Sequence, residues 1–157
     1  MDLYSAGLET PRGVFLVLFN QDGIFELFFP GSAPGRELRP APFPWPALQT
    51  DLNRYLHGER VSFEEYPLAM SGYAPFTLRV LEAVRQIPYG AVCTYRDIAT
   101  RAGSPRAWRA AGRALSINRH PLLVPCHRIV RTDGSCGGFS GPPGWKEDLL
   151  QLEGGWV

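Results

Sequence analysis

The sequence predicts an α/β (α+β) chain in two parts: a small N-terminal β-hairpin and sheet with one helix over residues 1–70, and a mainly helical C-terminal part over residues 75–157 that contains a helix-turn-helix. Three observations predict it. Two β-type apolar runs flank a turn signal near the start, six prolines crowd residues 30–46, and from Phe76 onward apolar residues recur at helical spacing.

Gly13 to Asn20 (GVFLVLFN) and Ile24 to Phe29 (IFELFF) are rich in β-branched and aromatic residues, and Gln21-Asp22-Gly23 between them is a hairpin turn. The proline-rich stretch from Pro30 to Pro46 forbids regular structure and reads as an extended loop over the first layer. A helix is expected from Ala47 to His57, with Leu48, Leu52, Tyr55 and Leu56 on one face. Val61 to Tyr66 (VSFEEY) alternates and is expected to supply one more strand, and Pro67 to Pro75 marks the boundary between the two parts.

In the second part, Phe76, Val80, Ala83, Val84 and Ile87 define a helix that Pro88-Tyr89-Gly90 stops. Two short helices follow: Tyr95 to Ala102, then one capped by Ser104 with Pro105 in its first position, running to Ser116. With only Gly103 between them, the pair fits a helix-turn-helix, and it equally fits an ordinary αα-corner. The second helix carries Arg106, Arg109 and Arg113 among Ala107, Ala110, Ala111, Gly112 and Ala114. Such a slim body suits close approach to a groove, or close packing on another helix.

The net charge of +1 hides an asymmetry. Residues 76–157 hold 11 Lys/Arg against 6 Asp/Glu, and residues 1–75 hold 5 against 9, giving +5 and −4. A basic half suits a polyanion, although +5 is also an ordinary surface charge. The three cysteines, Cys93, Cys126 and Cys136, form no CxxC pair, which argues against a disulfide framework or a cysteine zinc site. No basic segment leads into an apolar run at the N-terminus, and no stretch approaches the roughly 20 apolar residues of a membrane span, so a cytoplasmic, membrane-free protein is expected.

Leu122-Leu123-Val124 reads as a short buried strand, and Pro125-Cys126-His127-Arg128-Ile129-Val130 follows it. A thiol with a pKa of about 8.5 needs a base or positive charge beside it to act as a nucleophile near neutral pH. His127 and Arg128 are candidates of each kind. A buried Cys next to a His is also a common structural arrangement.

The segment Pro-Cys-His-Arg-Ile-Val, preceded by Asn-x-x-Pro-Leu-Leu-Val and followed by a Gly-rich loop and Lys-Glu-x-Leu-Leu-x-x-Glu-Gly, resembles the O6-alkylguanine-DNA alkyltransferases, also called methylated-DNA-protein-cysteine methyltransferases. The resemblance runs from Pro75 to Gly154. It implies direct DNA repair in a single turnover: the protein flips O6-alkylguanine, mainly O6-methylguanine, out of duplex DNA and moves the alkyl group irreversibly to its own cysteine.

By that resemblance Cys126 is the alkyl acceptor, His127 the base that draws the thiol proton through a water, and Glu153 the carboxylate that orients the imidazole. Tyr95 reaches N3 of the flipped base and crowds the rotated phosphate, and Arg109 fills the gap left in the stack. Asn118 is the hinge asparagine between the recognition helix and the active-site strand. Ala110, Gly112 and Arg113 share the helix that enters the minor groove. Pro121, Ile129, Phe139 and Ser140 form the pocket: Pro121 packs on the ring, the carbonyls of Cys126 and Ile129 accept from the exocyclic amine, and the Ser140 amide donates to O6.

Three positions depart from the family pattern. Phe139 stands where a tyrosine is common, and Trp108 and Arg113 stand where small residues are usual. Some members hold zinc in the N-terminal part, but here no cysteine precedes Cys93 and the one histidine there is His57, so neither metal nor cofactor is expected. The expected partner is double-stranded DNA carrying O6-alkylguanine, engaged by a monomer. Two rival readings are an alkyltransferase-like module that binds lesions without repairing them, against which Cys126 argues, and a cysteine hydrolase using Cys126 and His127.

Overall fold

The computed structural model describes residues 2–139 and 141–154. Its contacts separate two compact units, Met1–Ala69 and Met70–Val157.

The first unit is a three-stranded antiparallel meander, β1 (Tyr4–Thr10), β2 (Gly13–Asn20) and β3 (Gly23–Phe28), with one helix, α1 (Ala47–Leu56). β2 is central, pairing Tyr4 with Phe19 on one side and Leu16 with Phe28 on the other. Phe15, Val17 and Phe19 of β2 and Leu48, Leu52 and Tyr55 of α1 are buried, and α1 packs against β1. The outer edge of β1 is covered rather than left open. The Ser5 amide donates to the Arg39 carbonyl within the proline-rich loop, and the Glu9 backbone bonds the side chains of Gln49 and Asn53 on α1.

Two readings change here. β1 was not foreseen, because Tyr-Ser-Ala-Gly-Leu-Glu-Thr lacks the β-branched and aromatic density that marked its neighbours. Val61 to Tyr66 forms no strand. Val61, Phe63 and Tyr66 are buried as side chains, while the backbone pairing with β3 belongs to the next residues: Ile24 donates to the Pro67 carbonyl and Ala69 donates back to Ile24. Gly23 permits that approach, since a Cβ there would lie 2.6 Å from the Pro67 oxygen.

The second unit comprises α2 (Pro75–Arg85), β4 (Cys93–Thr94), α3 (Tyr95–Arg101), α4 (Trp108–Ser116), β5 (Ile129–Val130) and α5 (Trp145–Glu153). α2, α3 and α4 pack against one another, and β4 pairs in parallel with β5. Parallel pairing sets Cys93 opposite Ile129, which brings the start of α3 beside the residues after Cys126. A capping box fixes that start. The Asp97 amide donates to Thr94 Oγ1 at 3.1 Å and the Thr94 amide to Asp97 Oδ2 at 3.0 Å, so Tyr95 is held in the first turn of α3.

The helix after α3 begins later than expected. Ser104-Pro105 imitates a cap followed by a first-turn proline, but the Ser104 amide closes the C-terminus of α3 on Ala99 O, across Gly103 at φ +85°. Residues 104–107 then form a turn closed by the Ala107 amide on Ser104 O, and α4 starts at Trp108. Arg106 therefore lies before the helix, and Arg109 sits in its first turn. Residues 122–124 are not a strand either: Leu122 has φ +70° and the Val124 and Cys126 amides close tight turns on His120 and Val124. This buried run is compact, not extended.

Candidate active site

Cys126 opens a 3-10 turn, Cys126–Arg128, that follows Pro125 and leads into β5. The thiol is buried, 6% exposed as a residue. Asn118, just beyond α4, organises the approach. Its Oδ1 accepts from the His120 amide at 2.9 Å, its Nδ2 donates to Val124 O at 3.1 Å, and its side chain hydrogen-bonds the sulfur of Cys126. Asn118 thus ties the segment after α4 to the turn before the cysteine.

His127 and Glu153 are both inside. His127 Nε2 stands 2.8 Å from Glu153 Oε2. Glu153 also accepts from Arg128 Nε at 2.8 Å, from Arg128 Nη2 at 3.0 Å and from the Gly90 amide at 3.1 Å. Burial favours its neutral acid, but the hydrogen bonds from His127 and Arg128 outweigh that and pull the carboxyl far below the usual carboxylate range. An ionised Glu153 makes Nε2 the protonated nitrogen of a neutral imidazole and leaves Nδ1 as the basic position. Burial pushes the His127 pKa down, with Glu153 partly opposing it, so the ring is a base at neutral pH.

Burial likewise pushes the Cys126 thiol up, against the hydrogen bond from Asn118, the charge of Lys146 and the amides of Cys126 and His127. The sequence offered Arg128 as the positive charge beside the thiol, and the structure corrects this. Arg128 is committed to Glu153 and to Ile87 O, at 2.6 Å from Nη1. The cation coupled to the sulfur is Lys146, 2% exposed on α5, whose Nζ donates to Ile129 O at 2.6 Å and Gly138 O at 2.9 Å. Sequence reasoning passed over it. The available signal was compositional, for Lys146 is the single lysine in a chain with fifteen arginines.

Cys126 lines a cavity of about 300 Å³ together with Tyr95, Gly112, Leu115, Ser116, Gly138 and Phe139. The ring of Tyr95 rests near Gly112, where a Cβ would make ordinary van der Waals contact with it at 3.8 Å. Burial raises the Tyr95 pKa, and a hydrogen bond with the Gly138 backbone partly opposes this, so the hydroxyl keeps its proton. Of the expected pocket residues, Phe139 lines this cavity. Pro121 and Ile129 are buried but do not line it, and the Ile129 carbonyl already accepts from Lys146. Ser140 lies outside the described residues.

A second cavity of about 450 Å³ shares Tyr95, Gly112 and Gly138 with the first and is lined further by Arg96, Trp108, Arg109 and Arg131. Arg109 is exposed at its edge. Arg113 is exposed and Ala110 half-buried on the same helix, and neither lines these two cavities. Cys93 is buried in β4 and Cys136 half-buried in the loop that follows β5. Among the described residues no group of three His, Cys, Asp or Glu side chains could hold a metal ion, and no helix is long and apolar enough to cross a membrane.

Residues 75–155 match the family described as 6-O-methylguanine DNA methyltransferase, DNA binding domain. The chain is 44% identical over 108 residues to a methylated-DNA–protein-cysteine methyltransferase of Methanothermobacter thermautotrophicus, a match covering 68% of this chain and 60% of that relative. It is 35% identical over 146 residues to the constitutive methylated-DNA–protein-cysteine methyltransferase of Bacillus subtilis, covering 88% and 87%. A DNA base-flipping protein of Thermus thermophilus is 45% identical over 101 residues, covering 64% and 67%. Among solved structures, Mycobacterium tuberculosis OGT in complex with DNA superposes with a TM-score of 0.84 at 29% identity, covering 96% of this chain and 92% of that one.

Proposed function

The chain belongs to the 6-O-methylguanine DNA methyltransferase family, and on that premise we propose that Cys126 takes the alkyl group from O6 of a guanine flipped out of duplex DNA. The protein is a DNA-binding methyltransferase of direct repair. The observation that carries the residue-level reading is the 2.8 Å contact of His127 with Glu153, one residue from a cysteine that faces a cavity.

The groups divide the reaction as follows. His127, oriented by Glu153, takes the thiol proton through Nδ1, with a water as the bridge. The sulfur attacks the O6-alkyl carbon, the S–C bond forms as the C–O bond breaks, and the electron pair stays on the guanine. Tyr95 gives its hydroxyl proton to N3 of the departing base, which turns an anion into a neutral leaving group. The resulting thioether is stable to hydrolysis, so one chain serves once. Phe139 offers the base an aromatic wall without a hydroxyl.

Extrusion is needed because O6 is out of reach inside the stack. The slim face of α4 supports entry into the minor groove, with Arg109 filling the vacated place and Arg113 meeting phosphate. In this reading residues 75–157 are the DNA-binding and alkyl-acceptor domain and residues 1–70 a separate α/β domain. Nucleophile, base and groove helix all stand on one chain, which supports a monomer.

A second reading, lesion binding without repair, draws on the base-flipping relative. A DNA duplex bearing labelled O6-methylguanine separates the two. Label moving to the protein, to a limit of one per chain and not to Cys126→Ala, is the expected result, and binding with no transfer would overturn it in favour of the flagging module.

A further inference from the structure

The 450 Å³ cavity beside the cysteine cavity is lined by three arginines, Arg96, Arg109 and Arg131, and by one acid, Asp133. None of the three arginines forms a salt bridge among the described residues. Asp133 is engaged within its own loop, where Oδ1 accepts from the Ser135 amide at 2.9 Å and the Ser135 hydroxyl at 2.6 Å. Arg131 directly follows β5, and its backbone is fixed: its amide donates to Ser135 O at 3.0 Å and its carbonyl accepts from the Gly134 amide at 2.9 Å. Its side-chain stem and the Tyr95 hydroxyl lie against the same residue, since a Cβ on Gly137 would be 3.5 Å from Arg131 Cγ and 2.9 Å from Tyr95 Oη. Arg96, the next residue after Tyr95 in α3, has its guanidinium 4.9 Å from the centroid of the Trp108 ring. Tyr95 thus has an arginine on each of two neighbouring segments.

We propose that Arg131, assisted by Arg96, forms an anion subsite for the phosphodiester of the flipped nucleotide itself. This rests on the reading that a nucleotide is extruded toward Cys126. Covalent continuity supplies the occupant. A base seated against Cys126 carries its own phosphate with it, and the basic cleft adjoins the cysteine cavity at Tyr95, Gly112 and Gly138. The neighbouring nucleotides stay paired in the duplex, so the subsite asks for a phosphate and for no second base. A guanidinium suits that task, because its planar fork of donors matches two phosphate oxygens at once and its charge is permanent. Trp108, large where the family resemblance leads one to expect a small residue, then has a supporting part: its ring holds the Arg96 guanidinium at the cleft by a cation–π contact. Arg109 is left for the gap in the stack.

The test uses the full chain and duplexes containing one O6-methylguanine, in which single phosphates are replaced one at a time by uncharged methylphosphonate. On the unmodified backbone Arg131→Gln raises the half-saturating DNA concentration for transfer about tenfold, and Arg131→Lys, which keeps the charge, recovers part of that loss. Methylphosphonate at the phosphate of the lesion nucleotide raises the wild-type value about tenfold as well, but changes Arg131→Gln by no more than about twofold, because the two changes remove one and the same contact. At phosphates of distant base pairs the replacement costs both proteins equally. Equal costs for wild type and Arg131→Gln at every position, which a merely structural role would give, would overturn the subsite. So would coupling to a phosphate of a paired nucleotide in place of the lesion's own. Fluorescence anisotropy on the same duplexes reads the same cycle without transfer. Failure of the wild type to take up methyl would therefore refute the repair reading, while the binding cycle still decides the subsite.

Discussion

Glu153 and His127 meet at 2.8 Å with each side chain only 1% exposed, and Arg128 closes the other side of the same carboxylate. This arrangement makes Glu153 both an orienter of the base and the counter-charge of a buried guanidinium. Glu153→Gln is expected to slow transfer at least about tenfold and to cost roughly 3 kcal/mol of stability, because it leaves Arg128 uncompensated. Thermal melts and transfer rates on one preparation check both.

The same residues set the acid limit. Folded Glu153 and folded His127 both have pKa values below their unfolded values, so the unfolded chain binds more protons and stability rises with pH. The His127 contribution declines as pH falls below about 6.5, and that of Glu153 declines below about 4.3. Melting temperature should therefore fall in two stages on acidification, and Glu153→Gln should lose the lower stage. A melting temperature flat from pH 7 to 4 would contradict the assignment.

Lys146→Met tests the buried ammonium. Met keeps the length but removes the donors to Ile129 O and Gly138 O and the positive charge near the sulfur. Transfer should drop by about tenfold or more, while stability shifts by only about 1 kcal/mol, since the cost of burying the charge disappears with the lost hydrogen bonds. Unchanged transfer would show that the charge does not act on Cys126.

Gly137 lies at φ +78°, and a Cβ there would come 2.9 Å from Tyr95 Oη. Gly137→Ala should destabilise by roughly 1 kcal/mol from the backbone alone and should slow transfer by displacing the hydroxyl. Tyr95→Phe should slow transfer too. Because both act through one hydroxyl, their combination should cost less than the product of the two, and fully multiplicative losses would argue for separate roles.

Arg109 and Arg113 share a helix but are expected to differ. Arg113→Ala should weaken binding to any duplex and reduce the slope of log affinity against log salt by about 1. Arg109→Ala should lower the transfer rate far more than affinity for undamaged duplex. Equal behaviour of the two variants in both assays would contradict the division.

Much of this architecture was legible where local chemistry is unambiguous. Gln21-Asp22-Gly23 between aromatic runs announces a hairpin, and Pro-Cys-His-Arg-Ile-Val announces the site by resemblance. Elsewhere local signals pointed the wrong way for physical reasons. Ser104-Pro105 has the composition of a helix start but is consumed in closing α3. β1 carries no β-type signature because its edge is completed by Gln49, Asn53 and Arg39, distant in sequence. The distribution of charge at the site was equally hidden: only the fold sets Arg128 on Glu153 and brings Lys146 from α5 to Ile129 and Gly138.

The most direct measurement is peptide mass spectrometry of the intact chain after mixing with excess duplex containing one O6-methylguanine. The account predicts one methylene on the peptide carrying Cys126, saturating at one per chain, with Cys93 and Cys136 unmodified. A chain that binds the duplex yet stays unmodified, or that carries the methyl on another cysteine, would contradict it.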